Sequence, residues 1–138
     1  MAGKIVTTGQ TDILTWYFKN NQASRGADAL YLGLYTDTTE PVIGASIGSG
    51  LTELALANYA RIQLIDADWT VAADLATNVL KTFTAGENWG NVYGSFLTNA
   101  VSGGSTLIAV KHFTSGPFNV LDTKTIDVTP KFNMINIS

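Results

Sequence analysis

The side chains able to do chemistry are few and scattered. His112 is the only histidine, and it lies two and four residues after Val110 and Ile108 in Leu-Ile-Ala-Val-Lys-His-Phe, residues 107–113. That is strand spacing, which reads as a structural or surface histidine. One imidazole cannot complete a zinc site, which takes three or four protein ligands. No Gly-x-Ser-x-Gly segment offers it a nucleophile to serve as base. The acids that crowd together are Asp66, Asp68 and Asp74, with Glu87 further on. They lack the calcium-loop pattern and its bidentate Glu position. A glycosidase pair needs a carboxylate separation that only the folded chain sets, and the spacing selects no pair among the four.

Other chemistries drop out by composition. There is no cysteine, so disulfides, thiolate metal sites and cysteine nucleophiles are excluded. Gly44-Ala-Ser-Ile-Gly-Ser-Gly50 is glycine-rich but has no Lys-Ser or Lys-Thr after it, so it lacks the positive field of a phosphate loop. The eight basic residues are spread from Lys4 to Lys131 and the net charge is -3. Nucleic-acid binders cluster such residues, so direct nucleic-acid binding is not expected. These observations predict a chain that is not an enzyme and holds no metal or cofactor.

The elements that position these residues read as mainly β. Ile13, Leu14, Tyr17 and Phe18 form one apolar stripe at helical spacing, and predict a helix over 9–22 with Thr8 or Thr11 as cap. Leu30, Leu32 and Leu34 then alternate with Tyr31, Gly33 and Tyr35. Both faces are apolar or aromatic, as in a central strand covered on each side. A long loop over 36–50 follows. Ala60, Ile62 and Leu64 next alternate with Arg61 and Gln63, which predicts a strand from Tyr59. Short strands are expected around Trp69–Val71, Val79–Phe83, Val92–Leu97, Leu107–Phe113 and in the three segments after Pro117. Turn signals every ~8–12 residues favour a sandwich or barrel. One domain is predicted: an N-terminal arm over 1–8, the helix, and a sandwich over 29–138.

Within this frame Phe83–Leu97, Phe-Thr-Ala-Gly-Glu-Asn-Trp-Gly-Asn-Val-Tyr-Gly-Ser-Phe-Leu, reads as a turn with an aromatic anchor, Trp89, at a strand entrance. The alternative is an aromatic platform, Trp69 or Trp89, stacking on a sugar.

The surface must be unusual. Hydrophobic residues make up 46% and charged residues only 14%, against a usual charged share of about a quarter. Low surface charge protects poorly against association. No apolar run has the length of a signal peptide or of a ~20-residue membrane span, so a soluble product made in the cytoplasm is expected. Several apolar residues serve no core pattern. Lys4, Ile5 and Val6 of the arm, Trp16 beside the helix stripe, and Val42, Ile43, Ile47 and Leu51 of the loop are therefore the partner-binding candidates, the loop side chains either folding back on the domain or meeting a neighbouring subunit, and the Trp16 ring either lying over the core edge or packing on a partner.

Leu30–Asp37, Tyr59–Leu64, Phe83–Leu97 and Leu107–Phe113 together resemble a family of small tailed-bacteriophage virion proteins. Tyr59-Ala60-Arg61 and Trp89-Gly90-Asn91-Val92 are the most specific points. The chain departs from the family in reading Tyr93-Gly-Ser-Phe-Leu97 after the Trp-Gly segment. The resemblance implies a jelly-roll-like antiparallel β-sandwich with a short N-terminal helix. It also implies a capsid cement or decoration protein on the outer surface of the virion. Its partners would be the major capsid protein and further copies of itself, as a dimer or trimer, with no membrane involved. A tail-fibre or tail-tip module that binds a host receptor or glycan is the alternative within the same resemblance.

Overall fold

The computed structural model describes residues 6–19, 27–104 and 106–134. Helix α1 spans Thr7–Leu14 and passes into one π-helical turn, Thr15–Lys19. The strands after it are β1 (Leu30–Tyr35), β2 (Ser46–Ile47), β3 (Gly50–Leu51), β4 (Ile62–Leu64), β5 (Thr70–Ala72), β6 (Leu75–Thr77) and β7 (Lys81–Thr84). The series continues with β8 (Gly90–Val92), β9 (Gly94–Thr98), β10 (Leu107–His112), β11 (Phe118–Val120), β12 (Thr125–Val128) and β13 (Lys131–Asn133). The chain is mainly β, as its alternation predicts. All the strand pairs are antiparallel except β2–β3, which is a short parallel pair inside the predicted loop.

The helix differs from its prediction in extent and in cap. It starts at Thr7, inside the predicted arm, and residues 20–22 lie outside the described part. Its N-cap is Val6, without a side-chain cap bond. Thr11 instead bonds the Thr7 carbonyl and the Ala73 carbonyl of the β5–β6 turn. Gln10, Leu14 and Phe18, four apart, make the buried face. The Phe18 ring tilts against Trp69 with centroids 4.5 Å apart. Ile13, predicted in the stripe, is exposed.

The four-stranded sheet has the order β10-β9-β1-β4. Central β1 buries both faces, which its sequence predicts. Leu30, Leu32 and Leu34 are fully buried in the main core, with Trp69, Phe83, Trp89, Val120, Ile126 and Phe132 from the remaining strands. Burying each leucine contributes about 1.5–3 kcal/mol relative to exposing it. The other face carries a second core of Tyr35, Leu51 and Phe96. Here Gly33 pairs with Phe96, and Tyr35 pairs with Gly94. Each aromatic ring lies across the opposing glycine. A Cβ added to Gly33 would stand 2.2 Å from the Phe96 ring, and one added to Gly94 2.3 Å from the Tyr35 ring.

β4 corrects the predicted in–out order around Tyr59-Ala60-Arg61. The strand begins only at Ile62, Ala60 is exposed, and Arg61 is buried. Packing thus inverts the simple alternation at these two positions.

Because Phe96 has no exposed side to yield to, Gly33→Ala overpacks the second core. Urea denaturation is expected to show a loss of about 3 kcal/mol, with much of it recovered in Gly33→Ala/Phe96→Leu.

Candidate functional site

His112, Asp66 and Glu87 each hold part of the fold. His112 Nδ1 lies 2.9 Å from the Tyr35 hydroxyl, and the Tyr93 ring stacks on the imidazole. Asp28 and Asp66 clasp each other's backbone: Asp28 N–H donates to Asp66 Oδ2 at 3.0 Å, and Asp66 N–H donates to Asp28 Oδ1 at 2.6 Å. Glu87 Oε2 accepts the Ala57 N–H at 2.6 Å, and Trp89 Nε1–H donates to the Ala57 carbonyl at 2.9 Å. The Phe83–Leu97 segment is therefore a strand entrance pinned to residue 57, in agreement with its sequence reading. Trp69 and Trp89 are both buried, so neither ring is available to stack on a sugar. The Trp69 indole N–H has no acceptor among the described residues. No group of three or more His, Asp or Glu able to hold a metal occurs among the described residues, and no described helix is long and apolar enough to cross a membrane.

The best-formed polar cluster is one that residue-by-residue reading missed. Arg61 Nε and Nη2 donate to the two Glu53 carboxylate oxygens at 2.8 and 2.7 Å. Nη1 and Nη2 also donate to the carbonyls of Ala100 and Gly103, each at 2.8 Å. The Tyr59 hydroxyl donates to Glu53 Oε1 at 2.8 Å and accepts the Leu34 N–H at 3.0 Å. The guanidinium rests 5.5 Å from the Phe96 ring centroid. Glu53 holds the Arg61 guanidinium charged, raising its pKa against the opposing effect of burial. Burial raises Tyr59 well above the ordinary tyrosine range, and it does the same to Tyr35, with Glu40 and Asp37 adding to the effect. The cluster ties β1, the 53–61 segment and the β9–β10 connection together. Its one sequence signal is a lone arginine just before the short strand Ile62–Leu64.

No family model, curated protein or solved structure matches this chain. The candidate site is therefore read from its surface alone.

The partner-binding candidates separate into three groups. Lys4 and Ile5 lie outside the described residues. Val6, Trp16, Val42 and Ile43 are exposed, Trp16 at 48%, Val42 at 74% and Ile43 at 100%. Leu51 is 1% exposed and packs with Tyr35 and Phe96, while Ile47 is half-buried against them. Leu51 thus belongs to the second core and Ile47 packs at its edge, the fold-back arrangement of the loop for these two residues. Sequence spacing could not place them, because the strand they pack under is distant in the chain.

Two exposed apolar features remain. Val42 and Ile43 sit on a turn closed by the Ala45 N–H to Val42 carbonyl bond at 2.9 Å. The loop base is held by the Thr52 N–H to Asp37 Oδ2 bond at 2.6 Å. The side chains are thus presented on a structured loop. On another part of the surface, Ile13, Trp16, Phe18, Ile108 and Met134 wall an apolar groove of about 250 Å³.

The Arg61–Glu53 pair has a testable weight. Arg61→Ala removes both guanidinium bonds to Glu53, leaving its carboxylate with the Tyr59 hydroxyl, and should cost about 3–5 kcal/mol in chemical denaturation, more than the paired change Arg61→Met/Glu53→Gln. The tyrosines set an alkaline limit. Their folded pKa values lie above the unfolded value near 10. The stability they contribute is therefore complete below about pH 10 and is lost as pH rises toward the folded values. Absorbance at 295 nm should show Tyr35 and Tyr59 ionising only with unfolding, and Tyr59→Phe should flatten the alkaline fall.

Proposed function

We propose that this protein is a bacteriophage virion structural protein, a capsid cement protein that bridges and stabilises major capsid protein subunits from the outer surface of the shell. The observation that carries the reading is Ile43: a fully exposed isoleucine beside an exposed valine, on a loop held by its own hydrogen bonds. Isolated exposed apolar residues are ordinary. Two adjacent ones on a structured turn, with Trp16 also exposed, suit burial against a neighbour, since ordering them has little further entropic cost. The resemblance of Leu30–Phe113 to phage virion proteins points the same way. So does the absorption of His112, Asp66 and Glu87 into internal hydrogen bonds. We take the fold as a jelly-roll-like sandwich within the mainly β class, the arrangement that the resemblance implies.

A cement protein acts by mass action. It binds the assembled shell and not the free subunits, so each bound copy stabilises the assembled state. A contact of ~800 Å² per partner is enough for specific binding.

Virions purified from infected cells should carry the protein on heads, seen by labelling in electron microscopy. Val42→Asp/Ile43→Asp should lower occupancy on shells by about tenfold or more with unchanged thermal stability, since neither side chain is buried in the isolated chain. Full occupancy of the double variant, or a label on tails alone, sinks the reading.

A further inference from the structure

Asp12, Ile13, Trp16 and Lys19 are all exposed. Their spacing of i, i+1, i+4 and i+7 makes one stripe along α1 and its π-helical turn. The order along the stripe is acid, apolar, aromatic, base. Gln10, Leu14 and Phe18 hold the opposite face of the helix in the core, so the stripe is presented on a fixed support. Ile13 and Trp16 also wall the apolar groove of about 250 Å³, which Ile108 of β10 and Met134 after β13 complete.

The charged ends of the stripe cannot meet within one chain. Seven residues of helix separate them by ~10 Å, and neither makes an ion pair among the described residues. Lys19 Nζ donates to the Trp69 carbonyl at 3.0 Å, which uses one of the donors of an ammonium and leaves the others. Read backwards, the stripe is base, aromatic, apolar, acid, which is its own electrostatic complement. Two such helices laid antiparallel set Asp12 of each against Lys19 of the other, with Ile13 and Trp16 meeting between them. A parallel arrangement sets like charges together at both ends, so charge selects the antiparallel one. A two-fold contact requires this kind of pattern, because in it residue i meets j while j meets i.

We propose that this face pairs with the same face of a second copy of the chain across a two-fold axis, the helices antiparallel and the Trp16 ring of each copy seated in the groove of the other. An indole suits the position, since it brings a large apolar body and one N–H for the wet rim. The supporting face is already packed, so pairing needs no rearrangement of the domain. One helix face with its groove is smaller than a standard interface of ~800 Å² per partner, and a roughly micromolar dimer is expected. The pairing needs no capsid. Val42 and Ile43 line no part of this groove, so it stands or falls apart from the cement reading.

Sedimentation of the isolated chain should show a monomer–dimer equilibrium. Trp69 and Trp89 are buried, so iodide quenching of fluorescence reports Trp16, and it should fall as the dimer forms. Trp16→Ala should abolish the dimer. Asp12→Lys and Lys19→Glu should each weaken it by about tenfold, and an equimolar mixture of the two should form a heterodimer as strong as the wild type, because both ion pairs are then restored. Circular dichroism melts are matched before variants are compared. Where Lys19→Glu lowers the melt through its lost bond to Trp69, Asp12→Lys alone carries the charge test. Val42→Asp/Ile43→Asp, whose shell occupancy tests the cement reading, should dimerise as the wild type does. A chain still monomeric at ~1 mM, a dimer that persists in Trp16→Ala or leaves Trp16 open to iodide, a dimer indifferent to Asp12→Lys, or one lost in the loop variant overturns the proposal.

Discussion

Two aromatic rings lie across glycines of the neighbouring strand, Phe96 over Gly33 and Tyr35 over Gly94, and the central sheet closes on that face around them. A side chain at either glycine would occupy the ring's place, so β1 and β9 carry large and missing side chains in register. The Phe96 ring also supports the Arg61 guanidinium, which holds Glu53, which in turn accepts from Tyr59. Tyr59 then accepts the Leu34 N–H of β1. The polar cluster therefore returns to the strand that carries the glycine. Arg61 also donates to the carbonyls of Ala100 and Gly103, so the circuit reaches the β9–β10 connection. Buried charge pairs contribute little net stability against apolar replacements, so the circuit acts chiefly to hold one arrangement of the loops.

That arrangement decides what the surface can offer. The imidazole and the carboxylates of Asp28, Asp66 and Glu87 are spent on holding backbone and ring groups. Ile43 and Val42 stand outward on a closed turn and Trp16 on the helix, and among the described residues no strand lies beside the outer edge of β10. A surface of low charge density has little long-range repulsion to keep neighbours apart. The second core sits beneath the 40–51 loop, with Leu51 and Ile47 against Tyr35. The loop's outer residues are thus carried on buried ones, and the same segment anchors and presents.

Much of the fold was legible from period alone. Leu30, Leu32 and Leu34 lie buried on one face as their spacing requires, and Trp89 anchors the strand entrance that its turn residues announce. Legibility ended where the answer depended on a distant group. Arg61 appeared as the solvent side of an alternation and is buried, because Glu53 and the carbonyls of Ala100 and Gly103 meet it from three directions. Leu51 appeared as a loose apolar residue and is core. Val42, Ile43 and Trp16, which fit no periodic pattern, are exposed.

By itself the sequence determined the mainly β class, the doubly covered central strand, the absence of thiol chemistry and the poverty of surface charge. These follow from residue type and local spacing, which act through the backbone's own periods of two and 3.6. Only the tertiary structure decided which polar groups are satisfied, which apolar residues of the 42–51 loop point inward, and that β10 is the end strand of its sheet among the described residues. Those properties are sums over contacts between residues far apart in the chain, and no single segment carries them.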